Sequence, residues 1–116
     1  VSAEQQQLFE FVAPTYTKGA TIQQRFEAFH AANPWVYSHL VRLANQFCDA
    51  QRSRGRAPKM GIALLVERLR WDYTVYTVTD DPFKICNDYR SRYARLIMEQ
   101  EPSLRGVFVT RNLKTA

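Results

Sequence analysis

Tyr73-Thr74-Val75-Tyr76-Thr77-Val78-Thr79 is the stretch on which the fold turns. Its residues are β-branched or aromatic and include no strong helix former, so it reads as a short strand. The chain on either side reads as helix. Residues 59–72 carry Ile62, Leu65, Val66 and Leu69 as an apolar stripe, with Arg68 and Arg70 to the sides. Beyond the strand, Asp80-Asp81-Pro82 is a turn sequence, and residues 83–86 are extended, as a second strand or a buried connector. Asn87 or Asp88 is expected to cap a helix that runs to Glu101, where Pro102 stops it. After a turn at 103–106, residues 107–111 are a further strand candidate.

Upstream the pattern is helical. Ser2 and Gln5 form a weak capping box for a first helix carrying Leu8, Phe9 and Val12, which Pro14 ends, and residues 13–20 read as a loop. Thr21 and Gln24 repeat the box ahead of Ile22, Phe26 and Phe29. Asn33-Pro34 marks a junction, with Asn33 as cap and Pro34 in the first helical position, where a missing N–H costs nothing. Val36, Leu40, Leu43 and Phe47 then line a third helix to about Ala50. The expected fold is mainly α: about five helices with a small two- or three-stranded β element near the C-terminus, winged-helix-like. It forms one domain, with a helix and loop over 1–20, a core over 21–111 and a tail over 112–116.

The 116 residues carry 46% hydrophobic and 23% charged side chains, a globular composition. Aromatics reach 13%, which points to a core rich in rings. The net charge of +5 favours an anionic partner: nucleic acid, an acidic membrane surface or an acidic protein. No run of about 18 apolar residues exists, so no membrane span is expected. The opening residues lack the charged and apolar regions of a secretion signal, and the expected setting is cytoplasmic. Cys48 and Cys86 stand apart from any metal-ligand pattern and read as two buried free thiols, though spacing alone leaves a disulfide between them open. His30 and His39 read as structural, and Trp35 and Trp71 as core anchors, with a partner interface the alternative for the tryptophans. No nucleophile–base order, phosphate-binding glycine loop or nucleotide fingerprint occurs. The expectation is a binding protein, not an enzyme, with no cofactor and no metal.

Two basic features carry the functional reading. Residues 87–95 read Asn-Asp-Tyr-Arg-Ser-Arg-Tyr-Ala-Arg. At 100° per residue, Tyr89, Tyr93, Leu96 and Ile97 share one arc, which is the packing face. Ser91, Arg92 and Arg95 lie across from it, and Arg90 flanks it. That outer face suits phosphate oxygens or a guanine edge in duplex DNA. The alternative is a solvated face, because Asp88 and Arg92, and Arg95 and Glu99, are i, i+4 pairs of opposite sign. The second feature is a loop holding Arg52, Arg54, Arg56 and Lys59 with no acid, a candidate clamp on the DNA backbone.

Phe26-x-x-Phe29-His30-x-x-Asn33-Pro34-x-Val36-Tyr37, Gly61-Ile62 with Leu69-Arg70-Trp71, and Phe83-Lys84 with Asn87-x-Tyr89 together resemble small uncharacterised proteins of tailed bacteriophages and prophages. The likeness continues through Tyr93-Ala94-Arg95-Leu96-Ile97-Met98 to Glu101-Pro102 and Phe108-x-x-Arg111, and covers about three quarters of the chain. It implies a phage origin and the cytoplasm of a bacterial host, and no activity. A looser analogy is to helix-turn-helix and winged-helix domains, with the arginine helix as the reader. Two functions follow as expectations: a DNA-binding protein, in which a homodimer is possible, or a non-catalytic phage protein that binds and modulates a host protein.

Overall fold

The computed structural model describes residues 10–77 and 85–109. Among them are four α-helices and one 3₁₀ turn: α1 (Ile22–Ala32), α2 (Pro34–Ser53), α3 (Ile62–Tyr76), α4 (Asn87–Gln100) and the 3₁₀ turn Pro102–Leu104. The expected first helix lies mostly outside the described residues.

α1 begins as its sequence dictates. The Thr21 hydroxyl accepts from the Gln24 N–H at 3.1 Å, and Gln24 Oε1 accepts from the Thr21 N–H at 2.9 Å. Two otherwise orphaned donors are satisfied reciprocally. Pro34 opens α2 as expected, but Asn33 does not cap it with its side chain. The amide is buried and turned the other way. Its Nδ2 donates to the carbonyls of Val12 (2.8 Å) and Phe29 (3.3 Å), and its Oδ1 accepts from the Val12 N–H at 2.7 Å. An amide carries both a donor and acceptors, so it can satisfy both backbone groups of Val12 at once. That pins the stretch before α1 onto the α1–α2 corner.

α2 runs to Ser53, one turn past the expected end, and closes in a Schellman motif. Gly55 takes φ +70°, the Arg56 N–H bonds Gln51 O at 2.9 Å, and the Gly55 N–H bonds Arg52 O at 3.0 Å. The chain therefore leaves α2 in a fixed direction, which sets where the basic loop lies.

The strand expected from Tyr73 is not there. Residues 73–76 are the last turn of α3, and residues 78–79 lie outside the described residues. Tyr73 extends the buried row of Leu65 and Leu69 by one more i, i+4 step, and stacks on Trp35 at 6.0 Å between ring centroids. Thr74 and Thr77 turn their hydroxyls back onto the carbonyls of Arg70 (2.9 Å) and Tyr73 (2.6 Å). Each hydroxyl thus finds its partner within the helix turn before it, so neither threonine needs a neighbouring strand. Packing of Tyr73 has overridden strand propensity. The other strand candidates also fail. Of 83–86, only Ile85 and Cys86 are described, and neither pairs. Of 107–111, residues 107–109 form no strand, only an isolated parallel bridge between Met60 and Phe108. Among the described residues no sheet exists, so the winged-helix-like reading is withdrawn.

The core is assembled from Phe26 and Phe29 of α1, Val36, Leu40 and Ala44 of α2, Val66 and Leu69 of α3, and Tyr93 and Ile97 of α4. Leu104 and Phe108 close one end. Phe26 and Tyr93 meet edge to face at 4.8 Å, a favoured aromatic geometry. Cys86 occupies the N-cap position of α4, and neither Asn87 nor Asp88 caps the helix as expected; both cysteines are free, Cys48 buried as expected and Cys86 exposed. No described helix is long and apolar enough to cross a membrane.

Candidate nucleic-acid interface

The arginine helix is the central element rather than an outer one. α4 packs against α1, α2 and α3, and from Tyr89 to Met98 every residue is at least half-buried. Its arginines fill the flanks. Arg92 is only 5% exposed. Its Nε donates to Gln23 Oε1 of α1 at 2.9 Å, and its Nη1 to the carbonyl of Asp88 at 3.2 Å. On the other flank Arg90 reaches α3, where Nη2 meets Glu67 Oε1 at 3.3 Å. Ser91 turns its hydroxyl onto the Asp88 carbonyl at 3.3 Å. Arg95 is half-buried beside α1. The expected open face of Ser91, Arg92 and Arg95 is therefore corrected. The arc that packs is wider than the tyrosine–leucine arc, because long arginine stems cover apolar surface on both sides while their heads find polar partners. Neither expected i, i+4 ion pair forms: Arg92 takes the Asp88 carbonyl, and Arg95 and Glu99 do not meet within 4.0 Å.

The loop after α2 behaves as its composition predicts. Arg54, Arg56 and Lys59 lie in it and Arg52 on the last turn of α2, and all four are exposed. Arg52 Nη2 donates to the Ser103 carbonyl (3.4 Å), Lys59 Nζ to the Gly106 carbonyl (2.9 Å), and Arg54 Nη1 to the Ala50 carbonyl (3.0 Å). The bond from the Met60 N–H to Val107 O at 3.0 Å ties the same two segments. These contacts bring the loop against the turn that follows α4, and they add an exposed Arg105 that sequence spacing alone did not connect to it. Arg52, Arg54, Arg56, Lys59 and Arg105 make a basic lip. None of the five has a carboxylate within 4.0 Å among the described residues, and the bonds they make go to neutral carbonyls. Arg90, Arg92 and Arg95 are engaged or shielded elsewhere and do not join this lip.

A second polar cluster joins α2 to α3. His39 Nε2 lies 2.8 Å from Asp72 Oδ2, and Arg42 Nη2 lies 2.8 Å from His39 Nδ1. Arginine can only donate, so Nδ1 is the acceptor and the ring proton sits on Nε2, facing Asp72. Arg68 Nε bonds the other Asp72 oxygen at 3.2 Å. Burial holds the imidazole below its ordinary pKa of 6.5; Asp72 opposes that shift, and Arg42 and Arg68 add to it. With both ring nitrogens occupied, the ring clasps two helices. The sequence holds His39 and Asp72 33 positions apart, and only the α2–α3 packing reveals the pair.

Comparison of the chain with protein families, with curated proteins and with solved structures finds no match.

Proposed function

We propose that the chain binds the phosphate backbone of DNA through the basic lip of Arg52, Arg54, Arg56, Lys59 and Arg105. The observation that supports this reading is a set of five exposed cations on two segments that Arg52, Lys59 and Met60 tie together, with no carboxylate of the described residues within 4.0 Å of them. Such a set attracts a polyanion by counterion release and reads no base edge. The arginine helix serves as scaffold. The likeness to phage and prophage proteins would place that DNA in a bacterial cytoplasm.

Titration of duplex DNA at a series of salt concentrations tests the reading. Five phosphate contacts give a slope of log K against log salt of about −4.5, and the triple change Arg54→Gln, Arg56→Gln and Arg105→Gln should bring it to about −1.8. No binding at low salt would sink the reading.

A second reading, a protein-contact face, is favoured by one observation. Leu64 (55% exposed), Trp71 (66%) and Val75 (46%) form a row on the outside of α3. Beside it runs a groove of about 300 Å³ lined by Leu43, Gln46, Phe47, Ala50, Leu64, Leu65 and Arg68. Trp71 is thus a projecting side chain and not the core anchor expected from sequence. Exposed apolar patches next to an unfilled groove mark contact sites.

A further inference from the structure

The cations of the basic lip differ in how they are held. Arg52 and Lys59 are fastened across to the turn after α4, on the carbonyls of Ser103 and Gly106. Arg54 and Arg56 instead flank Gly55 in the turn that closes α2. Three backbone bonds fix that turn: the Arg54 N–H to Gln51 O at 3.1 Å, the Gly55 N–H to Arg52 O at 3.0 Å and the Arg56 N–H to Gln51 O at 2.9 Å. Every residue from Arg52 to Ala57 is exposed, and those that alternate with the arginines, Ser53, Gly55 and Ala57, are small. The φ of +70° at Gly55 favours glycine, so the crest of the turn carries no side chain. A Cβ placed there would meet no atom within 4 Å, so the crest stands in open space. Arg54 Nη1 bonds the Ala50 carbonyl at 3.0 Å, and the Arg56 side chain bonds to no described residue.

We propose that this turn enters the minor groove of duplex DNA, so that the lip selects tracts of A·T pairs, where that groove is narrow. The inference rests on the reading of the lip as a DNA-backbone site and adds which duplex the site prefers. The minor groove of B-DNA is about 6 Å wide, too narrow for a helix. A glycine crest with one arginine on each side is slim enough to enter it. A-tracts narrow the groove further and strengthen its negative potential, which draws cationic side chains in. Arginine suits the place better than lysine, because a guanidinium is more weakly hydrated and gives up less on leaving water. The tethered Arg52 and Lys59 are left for the phosphates that border the groove. G·C pairs oppose entry, since the guanine N2 amino group stands in the minor groove. Selection of this kind reads groove shape and leaves base edges unread.

The test is a competition for the full chain, at low salt, among duplexes of one length. Three are DNA: an A·T tract, a G·C sequence, and the same G·C sequence with inosine in place of guanine. Inosine lacks the N2 amino group, so its pairs keep the G·C major groove and present a minor groove like that of A·T. The fourth is an A·U RNA duplex, whose minor groove is wide and shallow. The A·T and inosine duplexes should bind at least about fivefold tighter than G·C, the smaller end of what one unfavourable base pair costs. Arg54→Lys combined with Arg56→Lys keeps both charges and should bring that ratio toward one. Three DNA duplexes bound alike, an A·T preference that inosine does not share, RNA bound as tightly as the A·T tract, or a ratio that survives the lysine pair would each overturn the inference. In all four cases the lip remains a backbone site. Failure of every duplex to bind would instead sink the backbone reading, and this inference with it.

Discussion

Arg92 and Tyr93 are neighbours on α4, and burial has treated them differently. The Arg92 guanidinium is carried into the α1–α4 seam and meets Gln23 and the Asp88 carbonyl there. The Tyr93 ring is fully buried among Phe26, Phe29 and His30, and its hydroxyl has no hydrogen-bond partner among the described residues. Burial pushes the phenol pKa far above its ordinary value, with Tyr89 adding to the shift. Deleting an unsatisfied buried hydroxyl removes a desolvation cost and leaves the ring contacts in place. Tyr93→Phe should therefore stabilise the fold by about 1–3 kcal/mol, read as a higher urea midpoint at unchanged slope. A loss of stability would show that the hydroxyl is bonded after all. The core role of Tyr93 was legible, since it shares an arc with Ile97. That of Arg92 was not: a helical wheel assigns faces by polarity, and an arginine can be buried by its stem on a polar partner that lies 69 residues away in sequence.

Elements were legible where local signals and packing agree. The Thr21–Gln24 box starts α1, and the Val36, Leu40 and Leu43 row is the buried face of α2. They were misread where packing overrides propensity, as at Tyr73, which a strand scale favours and the α3 core row claims. The bond between α2 and α3 has a pH dependence that follows from His39. Its folded pKa lies below 6.5, so the unfolded chain takes up a proton that the folded chain resists. Stability is full above 6.5 and is lost as pH falls below it. His30, lowered by burial, acts in the same direction. Urea midpoints measured from pH 8 down to 5 should fall, and His39→Gln should flatten part of that fall. A wild-type midpoint that is level across the window would contradict the neutral, Asp72-facing ring.

At the scale of the whole molecule, Leu64, Arg68, Trp71 and Val75 are spaced four, three and four residues apart, a series that reads the same in both directions. Two copies with α3 antiparallel about a two-fold axis would set Leu64 against Val75 and Trp71 against Arg68. The indole would enter the groove beside Arg68, and each copy would supply both the knob and the hole, as a closed two-fold contact requires. Sedimentation of the wild type should show a concentration-dependent dimer, and Trp71→Ser should remain a monomer with an unchanged helical spectrum. A wild type that stays monomeric would leave the row to a different protein. The loop half of the basic lip was legible from its composition, but the addition of Arg105 was not, because that depends on how the turn after α4 falls against the loop. The row was hidden because sequence reasoning places Val75 in a strand and Trp71 in the core.

The clasp between Asn33 and Val12 has a chemical consequence. Asparagine ages by deamidation, in which the backbone nitrogen of the next residue attacks the side-chain amide, and that nitrogen must first lose a proton. Here the next residue is Pro34, whose nitrogen has none to lose. Conversion to aspartate would delete the Nδ2 donor that holds the carbonyls of Val12 and Phe29. The side chain that fastens the N-terminal stretch to the helices thus sits before the one residue that blocks its commonest route of decay, and the joint is durable over time as well as well bonded.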